Sequence, residues 1–193
     1  MRSKTTACLA LFLAAASLPA AAAEPLPWVL ESRSAAQALG GRLMGELTAA
    51  LSESPAAAIE VCSARAPQIA AEESAARGAV IGRTALRYRN PGNAPAAWQQ
   101  RGLESFAAAL AEGANPAALE FTEVVAEDGV EERRWMKPIV TAPLCLTCHG
   151  AVPLAPEVAA AVQARYPQDQ AIGFAAGDLR GAFYVVWREP AAR

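Results

Sequence analysis

The sequence predicts an α+β domain, in which two N-terminal helices precede an antiparallel sheet of about five strands with further helices inserted. Leucines recur at every fourth position from Leu39 to Leu51, which is typical of an amphipathic helix. Strand-like segments flank a turn signal at Glu127-Asp128-Gly129, which indicates a hairpin. No internal repeat or long linker divides the chain, so a single domain is expected.

The two N-terminal helices are predicted over 27–51 and from Ser54 onward. Ser54 is a good N-cap, and Pro55 suits the first helical turn, where its missing N–H would have no partner anyway. The second helix carries Cys62 and is kinked or ended by Pro67. Proline has this effect because it cannot donate the helical hydrogen bond and its ring crowds the preceding turn.

The pattern changes after Gly78, which is a suitable residue for the end of a helix. Clusters of Gly, Pro, Asn and Asp then separate strand-like segments from helix-like ones. The remaining elements are predicted, in chain order, as a strand over 79–89, a helix over 94–112, a hairpin of strands over 121–126 and 131–140, a short helix opening at 141–143, a helix over 156–165, and a last hairpin over 171–188 that turns near Gly177-Asp178.

Residues 1–23 have the features of a secretory signal peptide, with a positive start, an apolar run over 7–18 and small residues before the cleavage site. The mature domain is therefore expected over 24–193, in the periplasm, and an uncleaved membrane anchor is the alternative. Without Arg2 and Lys4 the chain has 15 basic and 19 acidic residues. This mild acidity argues against nucleic acid as a partner.

The counts of cysteine and histidine limit the chemistry. Of four cysteines, Cys8 lies in the predicted leader, and the three that remain are an odd number that disulfides alone do not explain. The segment Cys145-Leu146-Thr147-Cys148-His149 has the C-x-x-C-H pattern of haem attachment and holds the only histidine. Thiols three residues apart project to one side of a helical turn, where they can add to two vinyl groups of a porphyrin. One covalent haem c, with His149 as an axial ligand, is therefore predicted.

Other interpretations of this motif remain open. The two cysteines could form a disulfide beside an incidental histidine. A thioredoxin-like redox pair is a second alternative, but it would normally follow a strand in a βαβ unit, whereas the predicted neighbours are antiparallel. A zinc site is a third, and it would need the distant Cys62 as a further ligand.

The second axial position of the iron has four candidate occupants. Since no second histidine exists, the residues left are Cys62, Met44 and Met136, with an open or water-filled site as the fourth option. Cys62 lies in the last turns of its predicted helix, where the helix dipole disfavours a thiolate unless a ferric iron stabilises it. A lone cysteine is also often a small core residue.

Five runs of the chain form a recognisable combination. They are AIEVCSARAPQIA (58–70), IGRTALRYRNPGN (81–93), MKPI (136–139), CLTCHG (145–150) and GDLRGA (177–182). Together they resemble a family of c-type haem domains with a PAS-like fold, found as exported single-domain proteins and as sensory modules of membrane signalling proteins. The resemblance implies haem attachment through the C-x-x-C-H motif, a PAS-like sheet, a distal cysteine ligand at the position of Cys62, and a sensing role.

Three arginines are candidate partners for the haem propionates. Arg83, Arg87 and Arg89 fall on alternate positions of the predicted strand, so they would share one face. Arginine offers a planar fork that suits carboxylates, although a solvated basic face is an equally good explanation. Lys137 and Arg180 are weaker candidates.

The function expected from these features is redox or diatomic-gas sensing by a haem with His/Cys axial ligation, in contact with a redox partner, a small diatomic ligand or a signalling partner protein. A periplasmic electron-transfer cytochrome with a Met or Cys distal ligand is the alternative. A haem enzyme such as a peroxidase would need a distal acid–base group, usually histidine. Since none is available, the chain is not expected to be an enzyme.

Overall fold

The computed structural model describes residues 24–191, and the predicted leader lies outside this range. The α+β class is confirmed, and the antiparallel sheet has four strands, close to the five predicted. None of the helices within residues 24–191 combines the length and the apolar character needed to cross a membrane. The helices are α1 (Pro27–Glu53), α2 (Pro55–Glu60), α3 (Ala66–Arg77), α4 (Ala97–Ala111), α5 (Leu146–His149) and α6 (Pro156–Arg165).

The four strands are arranged in the order β1-β4-β3-β2, and all neighbours are antiparallel. The predicted hairpin is present, and its second strand also pairs with the last strand of the chain along most of its length. The strands are β1 (Val80–Thr84), β2 (Phe121–Glu127), β3 (Val130–Val140) and β4 (Leu179–Pro190).

The predicted last hairpin is wrong, which accounts for the difference in strand number. Only its second half forms a strand, β4, whereas residues 171–178 form turns. Gly173 and Gly177 have left-handed backbone angles, with φ of 74° and 90°, which a strand does not accommodate. The backbone N–H groups of Gly173 and Phe174 bond to the carbonyls of Gly150 and His149 instead.

The predicted strand over 79–89 is also too long. β1 ends at Thr84, because the chain then turns back on itself: the N–H of Ala85 and the hydroxyl of Thr84 both donate to the carbonyl of Asn93. Consequently Arg87 and Arg89 follow the strand and do not lie on it. The prediction that the three arginines share one strand face is therefore wrong.

The two faces of the sheet are covered by different helices. Successive residues of a strand point to opposite faces, and β3 shows this clearly. Trp135 is buried in a cluster with Leu39 of α1, whereas Met136 is buried in a cluster with Leu103 and Phe106 of α4. Helix α3 packs on the same face as α1, and this face also borders a cavity lined by Cys62 and His149.

Truncating Leu39, which is 0% exposed in the α1 cluster, is expected to destabilise the protein by about 2–5 kcal/mol, because it removes buried methyl groups and leaves a cavity. Leu30 on the same helix is 49% exposed and serves as the control, with an expected change below about 0.5 kcal/mol. Denaturant unfolding of Leu39→Ala and Leu30→Ala measures both. Equal losses in the two variants would contradict this packing.

The second predicted helix is interrupted and not merely bent. Ser54 caps its N-terminus by accepting from the Ala57 N–H at 3.1 Å, as predicted. Residues Val61–Arg65 then form a π-helical turn in which the N–H of Ala66 bonds five residues back, to Val61. The turn directly precedes Pro67, whose ring and missing N–H disfavour a continuous α-helix.

Candidate functional site

A cavity lies between α1, the π-helical turn, the end of β1, the start of β4 and the C-x-x-C-H segment. Its volume is about 200 Å³, and its walls are mainly apolar. Six of the seven predicted site residues line this cavity, so the fold brings Cys62 to the C-x-x-C-H segment from a distant part of the sequence. The six are Cys62, Arg83, Arg89, Cys145, Cys148 and His149.

The C-x-x-C-H segment forms a compact turn at the cavity wall. A 3₁₀ turn over Pro143–Cys145 leads into α5, which ends when the Gly150 N–H bonds to the Leu146 carbonyl at 2.9 Å. A Cβ on Gly150 would lie 2.5 Å from that carbonyl oxygen, so glycine is required there. The two thiols are on one short turn, as the motif predicts, and neither is in a disulfide.

The His149 ring is oriented by contacts with residues 171 and 174. Its Nδ1 lies 2.6 Å from the carbonyl oxygen of Ala171. Since a carbonyl only accepts, Nδ1 carries the proton and Nε2 keeps its lone pair, as in most metal-binding histidines. The ring edge also packs on Phe174, with centroids 6.4 Å apart. Burial lowers the pKa of His149 to about 3, with Arg180 and Arg89 adding to the effect, so the imidazole is neutral.

Arg89 and Asp169 form a buried ion pair beside His149. The Nη2 of Arg89 lies 2.9 Å from Asp169 Oδ2 and also donates to the carbonyls of Cys148 at 2.6 Å and Ala171 at 3.3 Å. The other carboxylate oxygen of Asp169 accepts from the Ala171 N–H at 2.8 Å. One guanidinium therefore connects the C-x-x-C-H turn to the segment that orients the imidazole.

Cys62 enters the cavity from the π-helical turn. Burial raises the pKa of the Cys148 thiol, Arg89 opposes this, and the proximity of Cys62 adds to it. Cys62 also contributes, after burial, to the raised pKa of Tyr166. The turn is anchored at its end by Arg65, which pairs with Glu46 of α1 at 3.1 Å and with Glu72 of α3 at 2.9 Å.

The two methionine candidates are placed differently. Met44 lines the cavity from α1, although it is largely exposed. Met136 is completely buried on the opposite face of the sheet, against Gly102, where a Cβ would lie 2.6 Å from its sulfur. Met136 therefore does not line the cavity, and the sulfur atoms available there besides the two motif thiols belong to Cys62 and Met44.

Some of the candidate basic residues line the cavity and others lie away from it. Arg83, Arg89 and Arg180 line the cavity, but Arg87 does not. Arg87 donates to the backbone carbonyls of Gln170 and Ile172 and lies over the ring of Phe174. Lys137, the other weak candidate, bonds to the Ala117 carbonyl away from the cavity.

The cavity wall carries an unbalanced positive charge. None of the described residues that line it is acidic, and Asp169 offsets only Arg89, so the wall has a net charge of +2 from Arg83 and Arg180. Burial lowers the pKa of Arg180 to about 10, so its guanidinium is still protonated near neutral pH. The Nε of Arg89 is also buried, with no partner among residues 24–191.

These residues fit a haem. The two thiols on one turn can form the thioethers, His149 offers an Nε2 lone pair, and the two propionates would neutralise the two unpaired arginines. The competing interpretations fit less well. Within the described part of the chain, no group of three His, Cys, Asp or Glu residues could hold a metal ion, which disfavours zinc. The antiparallel surroundings of the motif disfavour a thioredoxin-like pair.

Several residues of the cavity were not predicted. Tyr88, Tyr166 and Phe183 line it, and the Ala171 carbonyl and Asp169 support it from outside. Isolated aromatic residues and a backbone carbonyl have no sequence signature. The Asp169-x-Ala171 spacing is an exception, since aspartate often accepts from the N–H two residues on, and it indicates a turn here.

Comparisons of sequence and of structure with known proteins point to the same family. A family model described as Tll0287-like matches residues 13–187. The crystal structure of the cyanobacterial heme-protein Tll0287 is similar to this chain, with a TM-score of 0.65 and 29% sequence identity over 87% of this chain and 100% of that chain. No curated protein matches.

Proposed function

Because the chain belongs to the Tll0287-like family, we propose that it is an exported haem c protein that senses redox state or a diatomic gas. In this proposal Cys145 and Cys148 hold one haem covalently, and His149 and Cys62 are the axial ligands of the iron. The single observation that carries it is the cavity in which the C-x-x-C-H turn and Cys62 meet. The similarity to a cyanobacterial heme-protein supports the same cofactor.

A bound haem supplies a one-electron redox centre and a coordination position for small ligands. The residues of this chain supply the rest. Arg83 and Arg180 would bind the propionates, and the apolar walls would exclude water from the site. A Cys62 thiolate bound to the iron would stabilise the ferric over the ferrous state, so a low reduction potential is expected. The four-stranded antiparallel sheet with helices on both faces supports the PAS-like description of the fold.

Sensing is favoured by the segment that carries Cys62. A π-helical turn has a less regular hydrogen-bond pattern than the α-helix around it and often marks a functional position. If Cys62 leaves the iron on reduction, its segment changes position and a gas can bind, which gives the two states that a sensor requires. The predicted leader over 1–23 would place this device in the periplasm. No catalytic role is proposed.

Electron transfer is the second candidate, and one observation favours it: Met44 lines the same cavity as Cys62. A thioether ligand would raise the potential and keep the iron six-coordinate in both redox states. An electron-transfer protein with Met44 as its distal ligand would differ from the sensor in the ligand itself. One that kept Cys62 in both redox states would differ only in that the ferrous protein would not bind carbon monoxide.

The test compares Cys62→Ser with Met44→Leu in the haem-loaded protein, by visible absorption and EPR. Sensing predicts a ferric low-spin thiolate signal that is lost in Cys62→Ser and unchanged in Met44→Leu, and carbon monoxide binding after reduction. The reverse pattern, with the spectrum changed only in Met44→Leu and no carbon monoxide bound, would establish electron transfer instead. A high-spin spectrum unaffected by either substitution would reject both distal ligands.

A further inference from the structure

The carbonyl oxygen of Ala171 accepts from two side chains at once. The Nδ1–H of His149 donates to it at 2.6 Å, and Arg89 Nη2 donates to it at 3.3 Å. A carbonyl oxygen that already accepts from a cation is a weaker acceptor for a second donor, because hydrogen bonds in a buried network influence one another. A change in the Arg89 contact is therefore expected to change the strength of the bond from Nδ1.

Besides Ala171, Arg89 has two further hydrogen-bond partners. Its Nη2 donates to the Cys148 carbonyl at 2.6 Å and to Asp169 at 2.9 Å, and Arg89 and Asp169 are both 8% exposed. Asp169 in turn holds the N–H of Ala171 at 2.8 Å. The backbone before His149 and the carbonyl that orients its ring are thus connected through a single pair of buried charges.

We propose that Arg89, held by Asp169, is a positioning residue for His149 that sets both the orientation of the imidazole and its strength as an electron donor. The proposal rests on the proposed function, since it applies only if His149 binds iron. The partners of a ligating histidine's second nitrogen control its basicity. By sharing the Ala171 oxygen, Arg89 weakens the bond from Nδ1, limits imidazolate character and so favours the ferrous state.

Asp169 also balances the charge of Arg89. The pair therefore adds no net charge to the surroundings of the haem. The pair can therefore be removed as a unit without changing the total charge, whereas the removal of Arg83, which lines the same cavity, changes the charge without touching Ala171. These two changes separate an effect on the imidazole from a general electrostatic effect.

The test variant is Arg89→Met with Asp169→Asn, which keeps an oxygen for the Ala171 N–H, and the control is Arg83→Met. Haem attachment and His149 ligation are first verified in each protein by mass and absorption spectra. The Nδ1 proton is then observed by NMR in the ferrous carbon monoxide complex, and the midpoint potential is measured by redox titration. The double variant is expected to shift the Nδ1 resonance downfield and to lower the potential, whereas Arg83→Met leaves the Nδ1 resonance in place.

Unchanged Nδ1 resonance in the double variant, with haem attached and His149 bound, would overturn the positioning role and leave the proposed function intact. If the wild-type protein carried no haem, or if His149 did not bind the iron in it, the proposed function would be overturned instead. If the double variant does not fold, Arg89→Lys carries the same test, because it keeps the charge but loses the planar fork. Its Nδ1 resonance is expected to shift in the same direction.

Discussion

Replacing Cys145 and Cys148 together by serine is expected to abolish covalent haem attachment completely. The two thiols lie on one short turn at the wall of the cavity, and within residues 24–191 the remaining cysteine is Cys62, which lies on a different segment. A serine hydroxyl does not form the thioether. Each single variant keeps one thiol and is expected to retain a single, partial attachment.

The measurement is haem staining after denaturing electrophoresis, together with the intact mass of protein exported in the presence of haem-maturation machinery. Cys62→Ser is the matched control, since it removes a cavity thiol outside the motif and should keep the full haem mass. Haem retained by the double variant under denaturing conditions would contradict attachment through the motif. Wild-type protein with no added mass would contradict haem c binding altogether.

Replacing Arg89 by methionine is expected to destabilise the protein by about 3–5 kcal/mol, since it leaves the buried carboxylate of Asp169 without its charge partner. Arg89 and Asp169 are each 8% exposed and 2.9 Å apart, so water cannot replace the lost contact. The carbonyls of Cys148 and Ala171 also lose a donor.

A double-mutant cycle isolates this interaction. Arg89→Met with Asp169→Asn removes both charges, and it is expected to cost clearly less than the sum of the two single substitutions. Urea unfolding of the four proteins gives the free energies. Arg165→Met provides the surface control, because Arg165 pairs with Glu60 where both side chains are exposed, and such pairs contribute about 0–1 kcal/mol. Strict additivity of Arg89 and Asp169 would contradict their coupling.

Local signals in the sequence predicted the elements that depend on neighbouring residues. The leucine spacing of α1, the Ser54-Pro55 start of α2 and the hairpin of β2 and β3 were all found where expected. Each is determined within a few residues, by periodicity, by a side-chain cap or by a turn. The C-x-x-C-H turn belongs to the same group.

The errors concern contacts that are distant in sequence. The segment 171–178 has strand-like residues, but its N–H groups bond to the carbonyls of His149 and Gly150. Arg87 alternates correctly with Arg83, yet the chain turns after Thr84 and directs Arg87 to Gln170 and Ile172. A single sequence does not reveal which remote segment will accept a hydrogen bond, so the support around His149 became visible only in the folded structure.

The backbone bonds from Gly173 and Phe174 give the two proposed iron ligands unequal freedom. The peptide groups of His149 and Gly150 are clamped to a neighbouring segment, and the imidazole is tied to a third point through Ala171. Cys62, by contrast, sits on a π-helical turn between α2 and α3 that is held to other helices by the partly exposed ion pairs of Arg65 and Glu60. If both residues bind the iron, a change at the iron would therefore be expected to move the Cys62 segment more than His149.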